Sequence, residues 1–315
     1  METITAITAA QIMTRQLVST SSRTHVLDAI ERLLAHGVSG LPVICPAGSL
    51  EGRFSERNAI SAMDLADITP ASGCAAQFRR VTVRQIARPP VTISSQMGVF
   101  EAVDLLLRHH ISVAAVVNSQ QELLGVFSEQ SALHVFIGLC WEQMPAAGVT
   151  AWMSRDERRI VTPETTLDEV LDRFQQTSFR RLMIVHKDRL TGQISRREAL
   201  QAALECTRSS VVTARDEAFR QGLPATAQVK SWMNSEVDSV APEDSVVTVA
   251  QQFVSTAARQ LPVTENGRLV GQISRSDLLR AVQRCFPQVT STVPIPRPLY
   301  LSSLNRSGTE TAALS

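Results

Sequence analysis

The sequence predicts an α/β (α+β) fold built from four copies of one β-α-β-β-α unit. Three features lead to this prediction: four segments with the spacing of an amphipathic helix, two short β-type runs after each, and a glycine at a nearly constant distance. From the first apolar position of each helix to that glycine the chain counts 25 or 26 residues. A length of 315 residues is consistent with two domains of roughly 150 residues each. Each domain would therefore hold two copies.

The first helix of each unit is predicted from apolar residues at relative positions 0, 3, 4 and 7, which fall on one face of a helix. We expect each set to lie in the core. The four sets are Val26, Ala29, Ile30 and Leu33; Val99, Ala102, Val103 and Leu106; Leu167, Val170, Leu171 and Phe174; and Val246, Val249, Ala250 and Phe253.

The second half of each unit is predicted as two strands and a closing helix. A glycine opens the second strand, and a serine three residues later begins the helix, where its hydroxyl can accept a hydrogen bond from an unpaired amide of the first turn. The glycines are Gly52, Gly125, Gly192 and Gly271, and the serines are Ser55, Ser128, Ser195 and Ser274.

The units are predicted to pair as one with two and three with four, because copies three and four are the most alike. Trp152-Met153 returns as Trp232-Met233. The predicted bounds are 8–142 for the first pair (units 8–64 and 81–142) and 146–285 for the second (units 146–207 and 227–285), with a boundary near residue 145. Residues 286–315, where prolines alternate with small residues, are predicted to be disordered.

The composition favours a soluble cytoplasmic protein. The 31 Lys and Arg residues nearly cancel the 30 Asp and Glu residues, so no net positive field is expected to attract nucleic acid or an anionic membrane. Five widely separated cysteines indicate reduced thiols, and the start of the chain lacks the pattern of a secretory signal. The strongest apolar stretch, from Leu133 to Trp141, is shorter than the roughly 20 residues of a membrane span.

No catalytic or metal site is predicted. The six histidines show no metal-binding spacing, and the adjacent His109 and His110 would point about 100° apart on a helix. A cation at a helix end is the role expected for them. The chain has no Gly-rich phosphate loop, no dinucleotide fingerprint and no serine with a base at local spacing, so we expect a protein that is not an enzyme.

The unit resembles the CBS (cystathionine β-synthase) domain, whose copies associate in pairs called Bateman modules. Two features carry the resemblance: the apolar-Pro-Val step of Leu41-Pro42-Val43 and Leu261-Pro262-Val263, and the run Gly-x-apolar-Ser-x-x-Asp from Gly271 to Asp277. It covers about residues 8 to 285. Four such units in one chain are similar in architecture to the gamma subunit of AMP-activated protein kinase, which is regulatory rather than catalytic.

In nucleotide-binding members of that family, the last run contacts ribose and phosphate. The resemblance therefore implies an adenine nucleotide as regulatory ligand, with AMP favoured, ADP or ATP as competitors, and S-adenosylmethionine as another candidate. Ser274 and the amides after it offer a phosphate site, Asp277 could accept hydrogen bonds from both ribose hydroxyls, and Arg275 could donate to phosphate. The same spacing fits a capping box, which needs no ligand, so both interpretations stay open.

Comparison of the copies favours the C-terminal pair as the binding pair. Four residues after the glycine the first pair has Glu56 and Glu129, which repel phosphate, whereas the second pair has Arg196 and Arg275, which attract it. Six residues after the glycine only the fourth copy has an aspartate. Glu198 stands there in the third copy, and its extra methylene makes weak or no binding the expectation.

Further contacts are implied by the resemblance. In that family the turn before the second strand can reach the phosphates, and the arginines at this turn are Arg180, Arg181 and Arg259. A solvated face would explain Arg180 and Arg181 equally well. The adenine is implied near the first strand of unit four, at Val240, Ala241 and Pro242.

Two functions follow from these features. The first is a non-catalytic sensor that signals ligand binding to an unknown regulated protein. The second is a ligand-free scaffold for protein interaction or oligomerisation, in which Ser and Asp only cap helices. Two modules could close into a disc within one chain, or each could pair with a second chain, so a homodimer is a further expectation.

Overall fold

The structure, a computed structural model, describes residues 7–65, 81–140, 148–212, 227–256 and 258–285. Within these residues the chain forms a mixed α/β fold of four repeated units, as predicted. The predicted domain boundary near residue 145 and the disorder predicted for residues 286–315 lie outside the described residues. No helix in the described ranges has both the length and the apolar character required to cross a membrane.

The first two units contain the same elements in the same order: a short helix, a strand, a longer helix, two antiparallel strands and a closing helix. In unit one these are α1 (Ala9–Ile12), β1 (Thr20–Ser21), α2 (Val26–Ala35), β2 (Gly40–Ile44), β3 (Leu50–Ser55) and α3 (Glu56–Leu65). In unit two they are α4 (Val83–Ile86), β4 (Thr92–Ser94), α5 (Val99–Arg108), β5 (Val113–Val117), β6 (Leu123–Ser128) and α6 (Glu129–Cys140).

In units three and four a turn of 3₁₀ helix replaces the short first helix. Unit three contains the 3₁₀ turns Val149–Ala151 and Glu157–Arg159, then β7 (Ile160–Val161), α7 (Leu167–Gln176), β8 (Arg181–His186), β9 (Arg189–Ser195) and α8 (Arg196–Val212). Unit four contains the 3₁₀ turn Val229–Ser231, then α9 (Val246–Ser255), β10 (Gln260–Glu265), β11 (Arg268–Ser274) and α10 (Arg275–Cys285).

The strands form three sheets. The first strand of a unit is parallel to the second, and the second is antiparallel to the third, in the orders β1-β2-β3 and β4-β5-β6. Units three and four share one sheet, β10-β11-β9-β8-β7, through the pairing of Arg268 with Arg189. The first strand of unit four is a single bridge between Val240 and Val263.

The four amphipathic helices α2, α5, α7 and α9 begin at the predicted residues, and every apolar residue of the four predicted sets is buried. Two details differ from the predictions. The strands β3, β6, β9 and β11 begin two or three residues before the glycine, because their pairing continues past it. Helix α8 continues to Val212, beyond the predicted end at 207, because this stretch contains neither Gly nor Pro.

The two units of each pair exchange their first segments. The chain after α1 lies on unit two, where Thr14 pairs with Val126, and the chain after α4 lies on unit one, where Arg88 pairs with Arg53. This exchange was not predicted from the sequence, and it ties the two units of a pair together. The second pair repeats it through Ser154 with Gln272 and Asn234 with Gln193.

The recurring glycine lies directly beneath the exchanged segment. A Cβ added to Gly125 would lie 2.8 Å from the carbonyl oxygen of Thr14 and 2.8 Å from Sδ of Met13. At Gly52, Gly192 and Gly271 the corresponding carbonyl oxygens would lie 3.2, 3.0 and 3.1 Å away. Glycine is therefore favoured at all four positions, because a Cβ would crowd the exchanged main chain, most severely at Gly125.

The hydrophobic core crosses between the pairs. One cluster of buried side chains joins unit one to unit three, and the other joins unit two to unit four. Helix α3 packs on α7 and α8, and α6 packs on α9 and α10. Because segments are exchanged within a pair and cores are shared between pairs, the four units form one body.

Gly192→Ala is expected to lower the free energy of unfolding by about 1–3 kcal/mol, because the added Cβ would lie 2.9 Å from Sδ of Met233 and 3.0 Å from the carbonyl oxygen of Asn234. The control is Gly138→Ala in α6, where an added Cβ meets no described atom within 4 Å. Helix propensity should make that variant more stable by up to about 1 kcal/mol. Urea unfolding measures both, and effects of the same sign would contradict the packing argument.

Candidate functional site

A cavity of about 660 Å³ lies where all four units meet. This volume is typical of small-molecule sites. Its charged lining consists of six arginines and four acids, namely Arg159, Arg180, Arg181, Arg197, Arg259 and Arg280 with Glu56, Glu129, Glu198 and Asp277. Its apolar lining includes Leu106, Leu107, Ile111 and Val254. Among the residues that the structure describes, no group of three His, Cys, Asp or Glu could hold a metal ion.

Each closing helix is capped by the serine that precedes it. Oγ of Ser274 accepts a hydrogen bond from the N–H of Asp277 at 3.3 Å, and Oγ of Ser195 accepts one from the N–H of Glu198 at 3.4 Å. Ser55 and Ser128 accept the equivalent bond at 3.4 and 3.1 Å. The capping contact is thus present in all four units, including the two without a carboxylate.

Asp277 lines the cavity from the first turn of α10. Its Oδ2 accepts hydrogen bonds from the N–H and the hydroxyl of Ser274 at 2.9 and 2.6 Å, and its Oδ1 accepts one from Nη1 of Arg280 at 2.8 Å. An ionised carboxylate offers about four acceptor positions, so one is left. The Arg280 side chain is 43% exposed and can vacate another. Asp277 is therefore both a helix cap and an acceptor within reach of the cavity.

Glu198 occupies the matching position in unit three. Its Oε2 accepts a short hydrogen bond from the N–H of Ser195. Nearby, Nη1 of Arg181 donates to Oε1 of Gln193 at 3.0 Å. Burial lowers the pKa of Arg181, and the carboxylate of Glu198 partly opposes this shift. The carboxylate of unit three is thus held beside an arginine that is already engaged.

The arginines of the two turns line the cavity with different engagements. Nη1 of Arg180 lies 3.5 Å from Oε2 of Glu129, and its Nη2 donates to the carbonyl oxygen of His110 at 3.4 Å. Arg259 has no side-chain hydrogen bond or ion pair with any described residue. Burial lowers the pKa of Arg259, yet it remains a cation at neutral pH. Arg259 is therefore a half-buried cation with capacity for an anion.

Three arginines of the lining were missed by the sequence analysis. The guanidinium carbon of Arg159 lies 4.2 Å from the ring centroid of Phe179, and burial lowers the pKa of this arginine. Nε of Arg197 lies 3.4 Å from Oε1 of Glu56. The third is Arg280. These side chains enlarge the positive part of the lining beyond the residues that the resemblance implied.

Arg196 and Arg275, which were predicted to contact phosphate, do not line the cavity, although Nη1 of Arg275 donates to Oε1 of Gln130 in the lining at 3.1 Å. Residue Arg275 is 4% exposed. Its Nη2 donates to the carbonyl oxygens of Phe253 and Thr256, at the end of α9, at 3.0 and 3.2 Å. Arg196 makes the same contacts at the end of α7, at 3.4 and 3.1 Å. Burial lowers the pKa of Arg196 to about 9 and that of Arg275 to about 10. Each guanidinium pairs carbonyls that the helix end leaves open.

The first pair ends its helices differently, which accounts for glutamate at the matching positions. His109 caps α5, and the chain then turns through a left-handed backbone at His110, as it does after α2 at Gly37, with φ of 51° and 65°. The following amides bond back to carbonyls of the last turn at 3.0 and 3.3 Å. No arginine is needed to bind these carbonyls, and the first pair has Glu56 and Glu129 at the positions where the second pair has Arg196 and Arg275. The charge contrast between the pairs therefore follows the type of helix end.

Glu129 is the buried carboxylate of the cavity, with an exposed fraction of 5%. Burial raises the pKa of Glu129, and the positive charges of Arg180 and Arg259 oppose the shift. The other acids of the lining are half-buried. Glu129 is thus the acid most dependent on its arginine neighbours.

Val240, Ala241 and Pro242, the residues implied for adenine, do not line the cavity either. The N–H of Ala241 donates to the carboxylate of Asp244 at 2.7 Å, and the carbonyl oxygen of Pro242 accepts from Oγ1 of Thr150 at 2.8 Å. Val240 pairs with β10 of its own unit. The polar groups of this segment are used within the fold, because it receives the exchanged segment of unit three.

A profile of the CBS domain matches four stretches of the chain, residues 9–65, 83–138, 149–205 and 229–284, which together exceed half of its length. Among curated proteins, the uncharacterized protein MJ1225 of Methanocaldococcus jannaschii is 23% identical over 208 residues, which span 63% of this chain and 69% of that protein.

Solved structures share the fold. The crystal structure of MJ1225, described as a proposed archaeal homologue of γ-AMPK, matches with a TM-score of 0.74 and 18% identity, over 88% of this chain and all of that one. The crystal structure of an uncharacterized conserved protein from Pyrococcus horikoshii matches with a TM-score of 0.54 and 17% identity, over the same shares. The architecture of four units in one chain therefore exists in other proteins.

Arg275→Met is expected to lower the free energy of unfolding by about 1.5–3 kcal/mol, because two carbonyls at the end of α9 lose a charged donor. The control is Arg268→Met, which removes an ion pair with Asp188 whose side chains are 65% and 76% exposed. That pair should contribute less than about 1 kcal/mol. Chemical denaturation measures both variants, and equal losses would exclude the capping role.

Proposed function

The chain belongs to the CBS domain family, and from that premise we propose that it is a non-catalytic regulatory protein that binds an adenine nucleotide in its C-terminal pair of units. AMP is the favoured ligand, with ADP and ATP as competitors, and a partner protein reads the bound state. One observation carries the proposal: Ser274 and Asp277 share one cavity with six arginines.

The phosphate is assigned to the arginines of the cavity. Arg259 is without a side-chain partner among the described residues and can form charge-assisted hydrogen bonds with an anion. Arg180 holds Glu129 only at 3.5 Å, which is longer than a strong charge-assisted bond, so its guanidinium can turn to a phosphate. The planar fork of arginine suits phosphate oxygens better than the point charge of lysine.

The ribose is assigned to Asp277. One acceptor position of its carboxylate is open, and a second opens when Arg280 turns away. Arg280 would then be free to join the arginines at the phosphate. Glu198 in unit three is a longer side chain with Arg181 beside it, which supports weak or no binding in that unit.

The charge of the cavity supports a phosphate monoester. Six arginines face four carboxylates, and the modest positive excess suits a group that carries about two negative charges at neutral pH. S-adenosylmethionine carries a positive sulfonium group, which the same field disfavours. A triphosphate brings more negative charge than the excess.

Regulation follows from the position of the cavity. Its lining comes from all four units, so a ligand there contacts both pairs. Two ion pairs, Arg180 with Glu129 and Arg197 with Glu56, join the pairs across the cavity. A bound phosphate would change these contacts, and a ligand shifts an arrangement only when it binds one arrangement more tightly than another.

A ligand-free scaffold is the second candidate function, and the capping contacts favour it. Ser55 and Ser128 cap their helices without any carboxylate, and both oxygens of Asp277 already accept bonds within the fold. In that case the four units serve protein interaction or oligomerisation, including formation of a homodimer.

Asp277→Ala is expected to weaken AMP binding by about tenfold or more, because the ribose acceptor is lost. Its matched control is Asn58→Ala in unit one, since Asp277 and Asn58 each accept a bond from the hydroxyl of the capping serine at 2.6 Å. The free energy of unfolding should fall by about 1 kcal/mol in both variants, and the affinity for AMP should fall only in Asp277→Ala.

Calorimetric titration with AMP, ADP, ATP and S-adenosylmethionine measures binding, and thermal unfolding measures stability. If the wild-type chain binds none of the four ligands and Asp277→Ala is merely less stable, the scaffold is the better account. Equal loss of AMP affinity in both variants would show that Asp277 acts through the helix rather than on the ligand.

Arg259→Met is expected to weaken AMP binding by about tenfold, because a charged donor to the phosphate is removed. Its stability should change by less than about 1 kcal/mol, since Arg259 forms no hydrogen bond or ion pair with a described residue and Arg180 stays beside Glu129. The control is Arg268→Met, which removes the same charge from an exposed site. Unchanged AMP affinity in Arg259→Met would place the phosphate elsewhere.

A further inference from the structure

We infer that two glutamates of the N-terminal pair, Glu56 and Glu129, set the charge selectivity of the nucleotide site in the C-terminal pair. They act as fixed counter-anions that admit a phosphate monoester and disfavour diphosphates and triphosphates. The inference rests on the proposed function, which assigns the phosphate to this cavity. It gives a role in ligand choice to the pair of units that holds no assigned ligand.

The two glutamates reach from one pair of units to the other. Each begins the closing helix of its own unit, and each contacts an arginine of unit three. Oε2 of Glu129 lies 3.5 Å from Nη1 of Arg180, and Oε1 of Glu56 lies 3.4 Å from Nε of Arg197. Glu56 and Glu129 line the same cavity as Ser274 and Asp277.

Arg259 connects the two glutamates electrostatically. Its guanidinium is attracted by the carboxylates of Glu56 and Glu129 and repelled by Arg180 and Arg197. Since no described residue forms a hydrogen bond or ion pair with its side chain, Arg259 has capacity for a new anion. The two glutamates thus weaken the positive field at the group that the proposed function assigns to the phosphate.

Fixed carboxylates discriminate between ligands by charge. Their repulsion grows in proportion to the ligand's negative charge, and burial reduces the screening by salt and water. The side chains of Glu129 and Glu56 are only 6% and 12% exposed. Each added phosphate group therefore costs a ligand more here than at the surface. Without the two glutamates, six arginines would face only Glu198 and Asp277, a balance suited to a polyphosphate.

A local role is also available to both residues. A glutamate in the first turn of a helix interacts favourably with the helix dipole and stabilises the fold. That role does not require burial beside an arginine of another unit. It also acts on stability alone, whereas charge selectivity is a difference between two binding affinities, so one experiment separates the two roles.

The test compares Glu129→Gln, Glu56→Gln and the double variant with the wild type by calorimetric titration of AMP and ATP in the absence of divalent cations. Each single variant is expected to shift the ratio of affinities toward ATP by about three- to tenfold, and the double variant further. The control is Glu51→Gln, which removes the same charge from an exposed residue of β3 and should leave the ratio unchanged. Thermal unfolding shows whether each variant is folded. If Glu129→Gln does not fold, Glu56→Gln, at the less buried position, still tests the inference.

An equal change for AMP and ATP, or no change in any folded variant, would overturn the inference while AMP binding by the wild type still supports the proposed function. Titration with phosphate, pyrophosphate and tripolyphosphate separates the opposite case. If the wild type binds no nucleotide but the variants gain affinity in the order of anion charge, the selectivity role stands and the nucleotide assignment fails.

Discussion

The close approach of main chain to main chain over four glycines is the constraint on which the rest of the structure depends. The absence of a Cβ at Gly125 and its three counterparts lets the first segment of one unit lie closely on the sheet of the other. This contact aligns the two units of a pair, and the shared cores then fix one pair against the other. The central cavity is what remains where the four closing helices begin. Its arginines and acids meet there because of a backbone contact well away from them.

Local sequence patterns were sufficient to predict the elements of the fold. They were not sufficient to predict the contacts between segments that are distant in the sequence. Helix α2 (Val26–Ala35) and its three counterparts could be predicted, since the spacing of their apolar residues places these on one face. The exchange of segments left only an indirect trace, the return of Trp152-Met153 as Trp232-Met233. It marks the methionines whose sulfur atoms lie over the glycines. The sharing of cores between pairs left none, because any apolar face is compatible with several partners.

The candidate site was predictable where one residue type has one geometric role. Ser274 lies directly before α10 and Asp277 lies in its first turn, as the sequence indicates. Arg280 could have been added, since it follows Asp277 by about one turn. The bonds of Arg275 to the end of α9 could not be predicted, because sequence cannot tell whether an arginine faces a cavity or the end of a neighbouring helix. The sequence did contain a sign of these helix ends. Arginine occurs in the two units whose amphipathic helix is followed by threonine, whereas glutamate occurs in the two units whose amphipathic helix ends through Gly37 or His110.

The sharing of each core between pairs has a consequence for how the chain tolerates change. Phe54 in unit one and Phe174 in unit three are fully buried in the same cluster, so a cavity made at either weakens both. The molecule should therefore melt as one cooperative unit, and half of the chain alone would expose the apolar faces that the other half covers. A cavity made in the core of the pair without an assigned ligand is consequently expected to loosen the pair that contains Asp277 as well.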